Sequence, residues 1–210
     1  MDEERHAQRV LHLCRFAKGR PMKYDLSRKP TRGAERVLIA FRTALFGLLE
    51  EELFENIKVN ELCERAGYPR ATFYNYFDDK YDMLGYCWIW LAGEIGLHDY
   101  EYAPHKQMLY LFFDRICAYT DDHLDIIRGV LAKNPESGYL FSSLRVFVDT
   151  CMRNIFKDCP DAEGKPVPRD FFAAHYSQTL LLVWQWRYLR NPQCTNDEAR
   201  GYLEHLLGNL

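Results

Sequence analysis

A short polar and aromatic segment, Arg70-Ala71-Thr72-Phe73-Tyr74-Asn75-Tyr76, carries the side chains with the most distinctive chemistry in this chain. Arginine, asparagine and threonine can hydrogen-bond to the edges of DNA bases, and tyrosine hydroxyls can hold phosphate oxygens. Phe73 and Phe77 are four residues apart and therefore share one face of a helix. If these two rings pack inward, the other side chains of the segment face outward, where nucleic acid could reach them.

This segment belongs to a pair of short helical patterns, which lie on either side of Gly67-Tyr68-Pro69. In the first pattern, Val59, Leu62, Cys63 and Ala66 form one apolar stripe. Glycine allows the left-handed end of that helix, and proline is tolerated in the first turn of the next. The second helix, at about two turns, is too short to be stable alone. The pattern predicts a helix-turn-helix whose second helix enters the major groove, although helical bundles without a nucleic-acid role contain similar breaks.

The composition of the chain excludes several classes of protein. Apolar residues make up 48% and charged residues 27% of the 210 residues, as in soluble globular proteins. No apolar run approaches the ~20 residues of a membrane span, and the N-terminus has no apolar signal segment. We therefore expect a cytoplasmic location and no membrane partner. The 7 cysteines are odd in number and form no C-x-x-C pair, which argues against a disulfide framework or a zinc knuckle.

The charges are unevenly distributed along the chain, although the net charge is only −3. Between Arg5 and Arg42 there are 11 lysines and arginines against two acidic residues, whereas from Tyr81 onward 17 acidic residues face 12 basic ones. A protein that offers one end to phosphate would need such a separation. A solvated basic surface without a partner would have the same composition.

Hydrophobic periodicity predicts an all-α protein with a three-helix head and a larger helical body. A helix is expected over residues 2–18, followed by a basic arm over 18–32 that lies along DNA or is disordered. Further helices are expected at about 31–52, 80–97, 105–119, 122–133, 137–157, 169–190 and 195–207, with a loop at 98–104. Expected helix caps are Thr31, Asp78 or Asp79, Asp121, Ser137 and Thr195. The predicted domains are an extension (1–30), a DNA-binding head (31–84) and an effector and dimerisation body (85–210).

The spaced residues Ala66-Gly67, Arg70-Ala71-Thr72-Phe73-Tyr74, Tyr76-Phe77 and Lys80 resemble the recognition segment of the TetR/AcrR family of transcriptional regulators. The resemblance extends back through Val59, Ile57 and Phe54 to about Thr31 and forward to about Leu84. It implies a sequence-specific DNA-binding regulator, most often a ligand-responsive repressor that works as a homodimer on a double-stranded operator. Two positions depart from the family, which commonly has threonine or serine where Lys58 stands and a capping serine where Pro69 stands.

The resemblance also implies roles for individual residues of the head. We expect Tyr74, Tyr76, Lys80 and Lys58 to hold phosphates. The remaining outward residues of the second helix are expected nearest the base edges: Arg70, Ala71, Thr72 and Asn75. The helix that begins at Lys80 is expected to transmit the effect of a ligand to the head.

Residues 169–190 of the body form a predicted helix that is apolar on nearly all sides, which favours a second subunit as its partner. The expected dimer interface comprises Phe172, Leu180, Val183 and Trp184. The resemblance implies that the body also holds a cavity for an unidentified small-molecule effector, and its expected lining is aromatic: Trp88, Trp90, Tyr110, Phe113, Tyr119, Phe147 and Tyr176. Neither the operator nor the sign of regulation follows from the sequence.

Other functions stay open at this point. No phosphate-binding glycine loop, nucleophile elbow or zinc-protease helix is present, so we predict that the protein is not an enzyme and uses no cofactor or metal. The alternatives are a non-catalytic adaptor or co-regulator that binds another protein, and a DNA binder switched by its thiols.

Overall fold

A computed structural model of the chain describes residues 23–25, 29–96, 105–156 and 167–207. The regular structure in these ranges is helical throughout, which confirms the prediction of an all-α protein. The helices are α1 (Arg32–Leu49), α2 (Val59–Ala66), α3 (Arg70–Tyr76), α4 (Lys80–Glu94), α5 (His105–Asp122), α6 (Leu124–Lys133), α7 (Tyr139–Phe156), α8 (Arg169–Gln185) and α9 (Asn196–Leu207). A π-helical turn, Trp186–Arg190, continues α8. The expected helix at 2–18 and the expected loop at 98–104 lie outside the described residues.

Three of the expected caps accept the hydrogen bonds that a helix start needs. Thr31 accepts from the backbone N–H of Ala34 at 3.3 Å, and Asp79 accepts from the first turn of α4. At α9, Thr195 Oγ1 accepts from the N–H of Glu198, whose carboxylate in turn accepts the N–H of Thr195. This reciprocal pair is the capping box that fixes the start of a helix.

The other two expected caps are wrong. Asp121 lies inside α5, and its carboxylate accepts hydrogen bonds from side chains of the later helices. At the start of α7, the backbone N–H of Tyr139 donates to Glu55 Oε1 at 2.7 Å, and Ser137 lies before the helix. At α7 a residue distant in sequence therefore takes the role expected of a local one.

The chain divides into two compact units. The head unit comprises Met1–Leu91 and Leu124–Leu144, and the second unit comprises Ala92–His123 and Arg145–Leu210. This division differs from the expected boundary after residue 84, because α6 and the start of α7 group with the helix-turn-helix. Among the described residues, no helix has both the length and the apolar character that crossing a membrane requires.

An aromatic cluster forms the core of the head unit. The rings of Phe41, Phe54, Phe73 and Phe77 are fully buried. Phe41 on α1 packs edge-on against Phe73 on α3, with the ring centroids 5.3 Å apart. The inner face of α3 therefore provides part of the core, as its spacing predicts.

The second unit buries most of the residues expected at a dimer interface. Phe172, Leu180 and Val183 on α8 are between 3% and 8% exposed within the single chain. Trp184 is half-buried, and its Nε1 donates to Thr120 Oγ1 at 3.0 Å. The prediction that these four residues face a second subunit is therefore wrong for the three buried ones, because the core of the unit itself covers them.

Candidate nucleic-acid interface

Helix α3 has a sharply divided surface. Its inner residue Phe73 is fully buried, as is Phe77 just beyond its end. Arg70, Ala71, Tyr74 and Asn75 are exposed, and Thr72 and Tyr76 are half-buried. The exposed side chains combine one cation, one amide and one phenol over little more than one helical turn. This set can donate and accept hydrogen bonds at base edges and phosphates.

The turn before α3 sets the angle between the two helices. Gly67 has a φ of 71°, a left-handed conformation that a side chain would strain. The N–H of Tyr68 then donates to the carbonyl of Cys63 at 3.1 Å, which closes the end of α2. Pro69 stands one residue before α3 as its N-cap, rather than inside its first turn. Its carbonyl accepts from the N–H of Thr72 at 2.9 Å, so the expected stop and restart of the helix are present.

Arg70 and Tyr74 are one turn apart on the exposed side of α3 and lie close together. The guanidinium of Arg70 is 5.8 Å from the centre of the Tyr74 ring, and its Nη2 lies 3.4 Å from the Tyr74 hydroxyl. Contact with the ring limits the conformations of a long side chain that would otherwise be free. Less conformational entropy is then lost when Arg70 binds a base or a phosphate.

Lys58 stands at the start of α2 with an exposed side chain. Its backbone N–H donates to Glu61 Oε2 at 2.7 Å, so the helix start is closed by a residue of its own first turn. The departure from the family at Lys58 therefore does not leave this helix start without a capping contact. The ammonium of Lys58 remains available to bind a phosphate. It stands at the N-terminal end of α2, where the backbone N–H groups also favour an anion.

Lys80 has a different environment from the one its expected phosphate contact requires. Its Nζ donates to the carbonyls of Phe54, Glu55 and Ile57 at 2.9, 2.7 and 2.8 Å. An ammonium has three N–H donors, and these three bonds use all of them. Burial lowers the pKa of Lys80, while nearby carboxylates, Glu55 first among them, oppose that shift. In this geometry Lys80 holds the turn between α1 and α2 and has no donor left for a phosphate.

Asn134 holds the same turn from the other side, and sequence reasoning missed it. Its Oδ1 accepts from the N–H of Phe54 at 2.8 Å, and its Nδ2 lies 2.9 Å from the carbonyl of Leu49 and 3.3 Å from that of Glu52. The residue is only 2% exposed. The Asn134-Pro135 step signals a helix end in the sequence, but no local pattern pairs it with residues some 80 positions earlier.

Tyr139 completes the support of this turn. Its ring stacks on Phe54 with centroids 5.5 Å apart and packs edge-on against Tyr81 at 4.7 Å. The side chain of Glu55 accepts the N–H of Tyr139, so the turn is joined to the start of α7 by both aromatic and polar contacts. The segment 49–57, which we call the head turn, is thus fixed by residues of α4 and α7 and by Asn134, directly after α6.

The seven residues expected to line an effector pocket fall in both units. Trp88 and Trp90 lie in the head unit, where Trp88 Nε1 donates to Ser143 Oγ at 2.7 Å and the Arg42 guanidinium lies 3.7 Å from the Trp90 ring centre. The other five lie in the second unit. Of these, Phe113, Phe147 and Tyr176 are buried, and Tyr110 and Tyr119 are half-buried.

The cysteines of the described residues are unsuited to fast thiol chemistry. They are all buried, and burial raises the pKa of each: Cys63, Cys87, Cys117, Cys151 and Cys194. For Cys87 the pKa rises to about 12 and for Cys117 to about 11. Because the thiolate is the reactive form, these five give no support to a thiol-switched regulator. The remaining two, Cys14 and Cys159, lie outside the described residues.

Comparison with known proteins identifies the segment that contains this site. Residues 43–87 match the family model described as bacterial regulatory proteins, tetR family. The match covers the second half of α1, the helix-turn-helix and the first half of α4, and it includes every residue of the exposed face of α3. It confirms the resemblance seen in the sequence and supports a DNA-binding transcriptional regulator. No curated protein matches the chain.

Proposed function

We propose that this regulator of the TetR family is a cytoplasmic homodimer that binds a two-fold symmetric DNA operator and acts as a ligand-responsive repressor. The observation that carries the proposal is the division of α3: its inner ring Phe73 is fully buried, while Arg70, Tyr74 and Asn75 are exposed. A rigid core behind a short polar helix is what major-groove recognition requires.

Within this proposal the residues of the head have distinct roles. Arg70, Ala71, Thr72 and Asn75 lie nearest the base edges and supply sequence preference, because they occupy the first turns and the outer side of α3. Tyr74, Tyr76 and Lys58 contact phosphates and set the position of the helix in the groove. Lys80 acts indirectly, because it fixes the head turn that leads into α2.

The exposed apolar residues of the second unit favour a second copy of this chain as its partner. On α8 and the turn after it, Phe171, Leu182 and Trp186 are 66%, 57% and 45% exposed. On α9, Tyr202 and Leu206 are one turn apart and are 44% and 48% exposed. Exposed large apolar groups on neighbouring helices are typical of subunit interfaces. This set replaces the buried residues of α8 as the proposed interface, with Trp184 at its edge.

A small apolar or aromatic effector is the proposed ligand, because aromatic residues line many ligand cavities in helical domains. Tyr110, Phe113, Tyr119, Phe147 and Tyr176 are the candidate contacts in the second unit. A ligand there regulates DNA binding only if it binds one arrangement of the protein better than another. Helix α4 is the proposed route to the head, because it starts at Lys80 and continues beyond Leu91 into the second unit.

Selection of DNA from a random pool by the purified wild-type protein tests the central part of this proposal. We expect enrichment of an inverted repeat whose half-sites are about 34–36 Å apart, or a modest multiple of that distance. Sedimentation of the complex should give an even number of chains per DNA. Failure to enrich any sequence, with retention of protein partners in its place, would favour an adaptor.

The dimer interface can be tested with two matched substitutions on α8. Leu182→Glu should give a folded monomer by sedimentation, since position 182 is exposed in the single chain. Leu180→Glu should instead unfold the second unit, because it buries an unpaired charge in the core. A stable wild-type monomer at micromolar concentration would contradict the dimer.

The effector can be sought by thermal-shift screening of aromatic and amphipathic compounds against the wild-type protein. A true effector should change the affinity for the selected DNA about 5–150-fold, the range of typical coupling between sites. Tyr119→Ala should remove this response while leaving effector-free DNA binding intact. If every stabilising compound leaves DNA affinity unchanged, the effector hypothesis fails while DNA binding stands.

A further inference from the structure

Two residues of the basic arm, Lys23 and Tyr24, lie against the C-terminal end of helix α3. The Nζ of Lys23 donates a hydrogen bond to the carbonyl of Tyr74, in the last turn of that helix. The same ammonium lies 3.5 Å from Asp78 Oδ1. The Tyr24 ring packs on the Tyr76 ring, with centroids 5.4 Å apart and an angle of 33° between the planes. These contacts join residues about 50 positions apart.

Helix α3 has particular need of such contacts. It contains only seven residues, has no basic residue in its last turn, and has no side-chain cap at its start. The last carbonyls of a helix lack partners within it and carry partial negative charge, so a cation there is stabilising. Lys23 supplies this cation from outside the helix-turn-helix.

Tyr24 supports the helix through its contact with the Tyr76 ring. Its side chain is half-buried, and burial, followed by the influence of Tyr76, raises the pKa of Tyr24. Tyr76 is one of the proposed phosphate contacts. A ring held from behind by another ring loses less freedom when its hydroxyl meets a phosphate.

The arm also offsets acidic charge next to the DNA-facing surface. Asp78 and Asp79 come just after Phe77, the C-cap of α3, and both are exposed. The ammonium of Lys23 beside Asp78 reduces the repulsion that this carboxylate would exert on phosphates. Burial raises the pKa of the Asp82 carboxyl, and hydrogen bonds from the backbone N–H groups of Asp78 and Lys23 act against that shift.

We propose that Lys23 and Tyr24 are positioning residues for DNA recognition: they fix the C-terminal end of α3 and the Tyr76 ring in the arrangement that reads the operator. This inference rests on the proposed function. Sequence-specific binding then depends on two residues outside the family match, which begins at residue 43. A simple phosphate-binding role for Lys23 is the competing possibility.

Two single-charge substitutions distinguish positioning from phosphate binding. Lys23→Met removes the contacts with Tyr74 and Asp78, whereas Lys29→Met removes an exposed charge of the same arm and serves as the matched control. The probes are the DNA fragment selected by the wild-type protein and a scrambled fragment of equal length. Affinities are measured over a series of salt concentrations.

For a positioning residue, Lys23→Met should weaken binding to the selected fragment about fivefold more than Lys29→Met does. It should have little effect on the scrambled fragment and should leave the salt dependence unchanged. Equal weakening on both fragments, with the salt slope lower by about one, would make Lys23 a phosphate contact and overturn the proposal. Wild-type affinity of Lys23→Met on both fragments would also overturn it.

Amide hydrogen exchange without DNA provides a test that does not depend on the operator. In Lys23→Met and Tyr24→Ala, the amides of Thr72, Phe73 and Phe77 should exchange about fivefold faster, whereas Lys29→Met and Tyr24→Phe should match the wild type. Unchanged exchange in both test variants would contradict positioning even if the protein binds DNA. Failure of the wild-type protein to select any DNA would instead concern the proposed function alone.

Discussion

Buried and half-buried polar groups hold both the head turn and the surroundings of Asp121, but with different chemistry. In the head turn, the Asn134 amide and the Lys80 ammonium bond to backbone groups only. Around Asp121, one carboxylate accepts hydrogen bonds from three side chains of later elements. The donors are Arg187 and Asn196 at 3.0 Å and Tyr188 at 2.9 Å.

This difference in chemistry determines which part of the fold each arrangement can stabilise. Bonds to the backbone define the path of the chain directly, so Asn134 and Lys80 fix the α1–α2 connection itself. The Asp121 cluster instead joins α5 to the π-helical turn and to α9 through one charged group. Its stability depends on that single carboxylate, although the carboxylate is about one-third exposed, which allows water to replace part of what it supplies.

Replacement of Asn134 should have the largest effect on stability. Asn134→Leu keeps the number and branching of the side-chain heavy atoms but leaves the N–H of Phe54 and the carbonyl of Leu49 without partners in a buried site. We expect a loss of about 3 kcal/mol in the free energy of unfolding of the head unit, measured by urea denaturation. Asn56→Leu, at an exposed position of the same turn, is the control and should change it little. Equal stability of the two variants would show that the hydrogen bonds of Asn134 do not stabilise the head turn.

Removal of the Asp121 carboxylate should cost somewhat less. In Asp121→Ala, the guanidinium of Arg187, 12% exposed, loses its counter-ion. Breaking a buried pair typically costs 3–5 kcal/mol, and partial exposure of Asp121 should reduce this to about 2 kcal/mol. Asp122→Ala, at the exposed neighbouring position, should leave the unfolding curve unchanged. A greater loss than for Asn134→Leu would reverse the comparison between the two regions.

The pair Lys80→Met and Lys58→Met separates structural from DNA-binding lysines. Lys80→Met should lower the stability of the head unit by about 1–2 kcal/mol, because three carbonyls lose their donor, while the salt slope of DNA binding stays constant. Lys58→Met should keep wild-type stability and lower that slope by about one. The reverse pattern would restore Lys80 as the phosphate contact.

The features that the sequence could predict are those that depend on neighbours along the chain. The Gly67 break and the Phe73–Phe77 spacing act within a turn or two, and the structure agrees with both. The role of Lys80 depends on where the carbonyls of residues 54–57 lie, and no local sequence pattern contains that information. The same holds for Asn134.

Three of the interface residues expected on α8 are buried within their own unit, and the sequence could not show this for a related reason. Helix α8 is apolar on nearly all sides, so residue type alone could not separate the face covered by its own unit from the face left exposed. Leu180 and Leu182 are chemically identical, yet they are 3% and 57% exposed. Only the packing of the neighbouring helices decides between them.

The smallest predicted effect is a pH dependence at Asp82. Burial raises the pKa of this carboxyl above its usual 3.8. The folded state therefore binds more protons than the unfolded state just above that pH, and the stability contributed by this group is lost as the pH rises through its folded pKa. Asp82→Asn keeps an acceptor for the N–H of Asp78 without burying a charge, so near neutral pH it should be at least as stable as the wild type. Its stability should also vary less with pH over the range in which Asp82 titrates, as measured by urea denaturation at a series of pH values. An equal pH dependence of the two proteins would contradict a raised pKa at Asp82.

The central claim is that the exposed face of α3 reads DNA sequence, and base preference at Arg70 tests it most directly. Competition binding of every single-base variant of the selected site would be measured for the wild-type protein and for Arg70→Ala. Arg70→Ala should lose about 1–3 kcal/mol of discrimination at one base pair of each half-site and keep the wild-type preferences elsewhere. An unchanged preference profile at every position would contradict the claim.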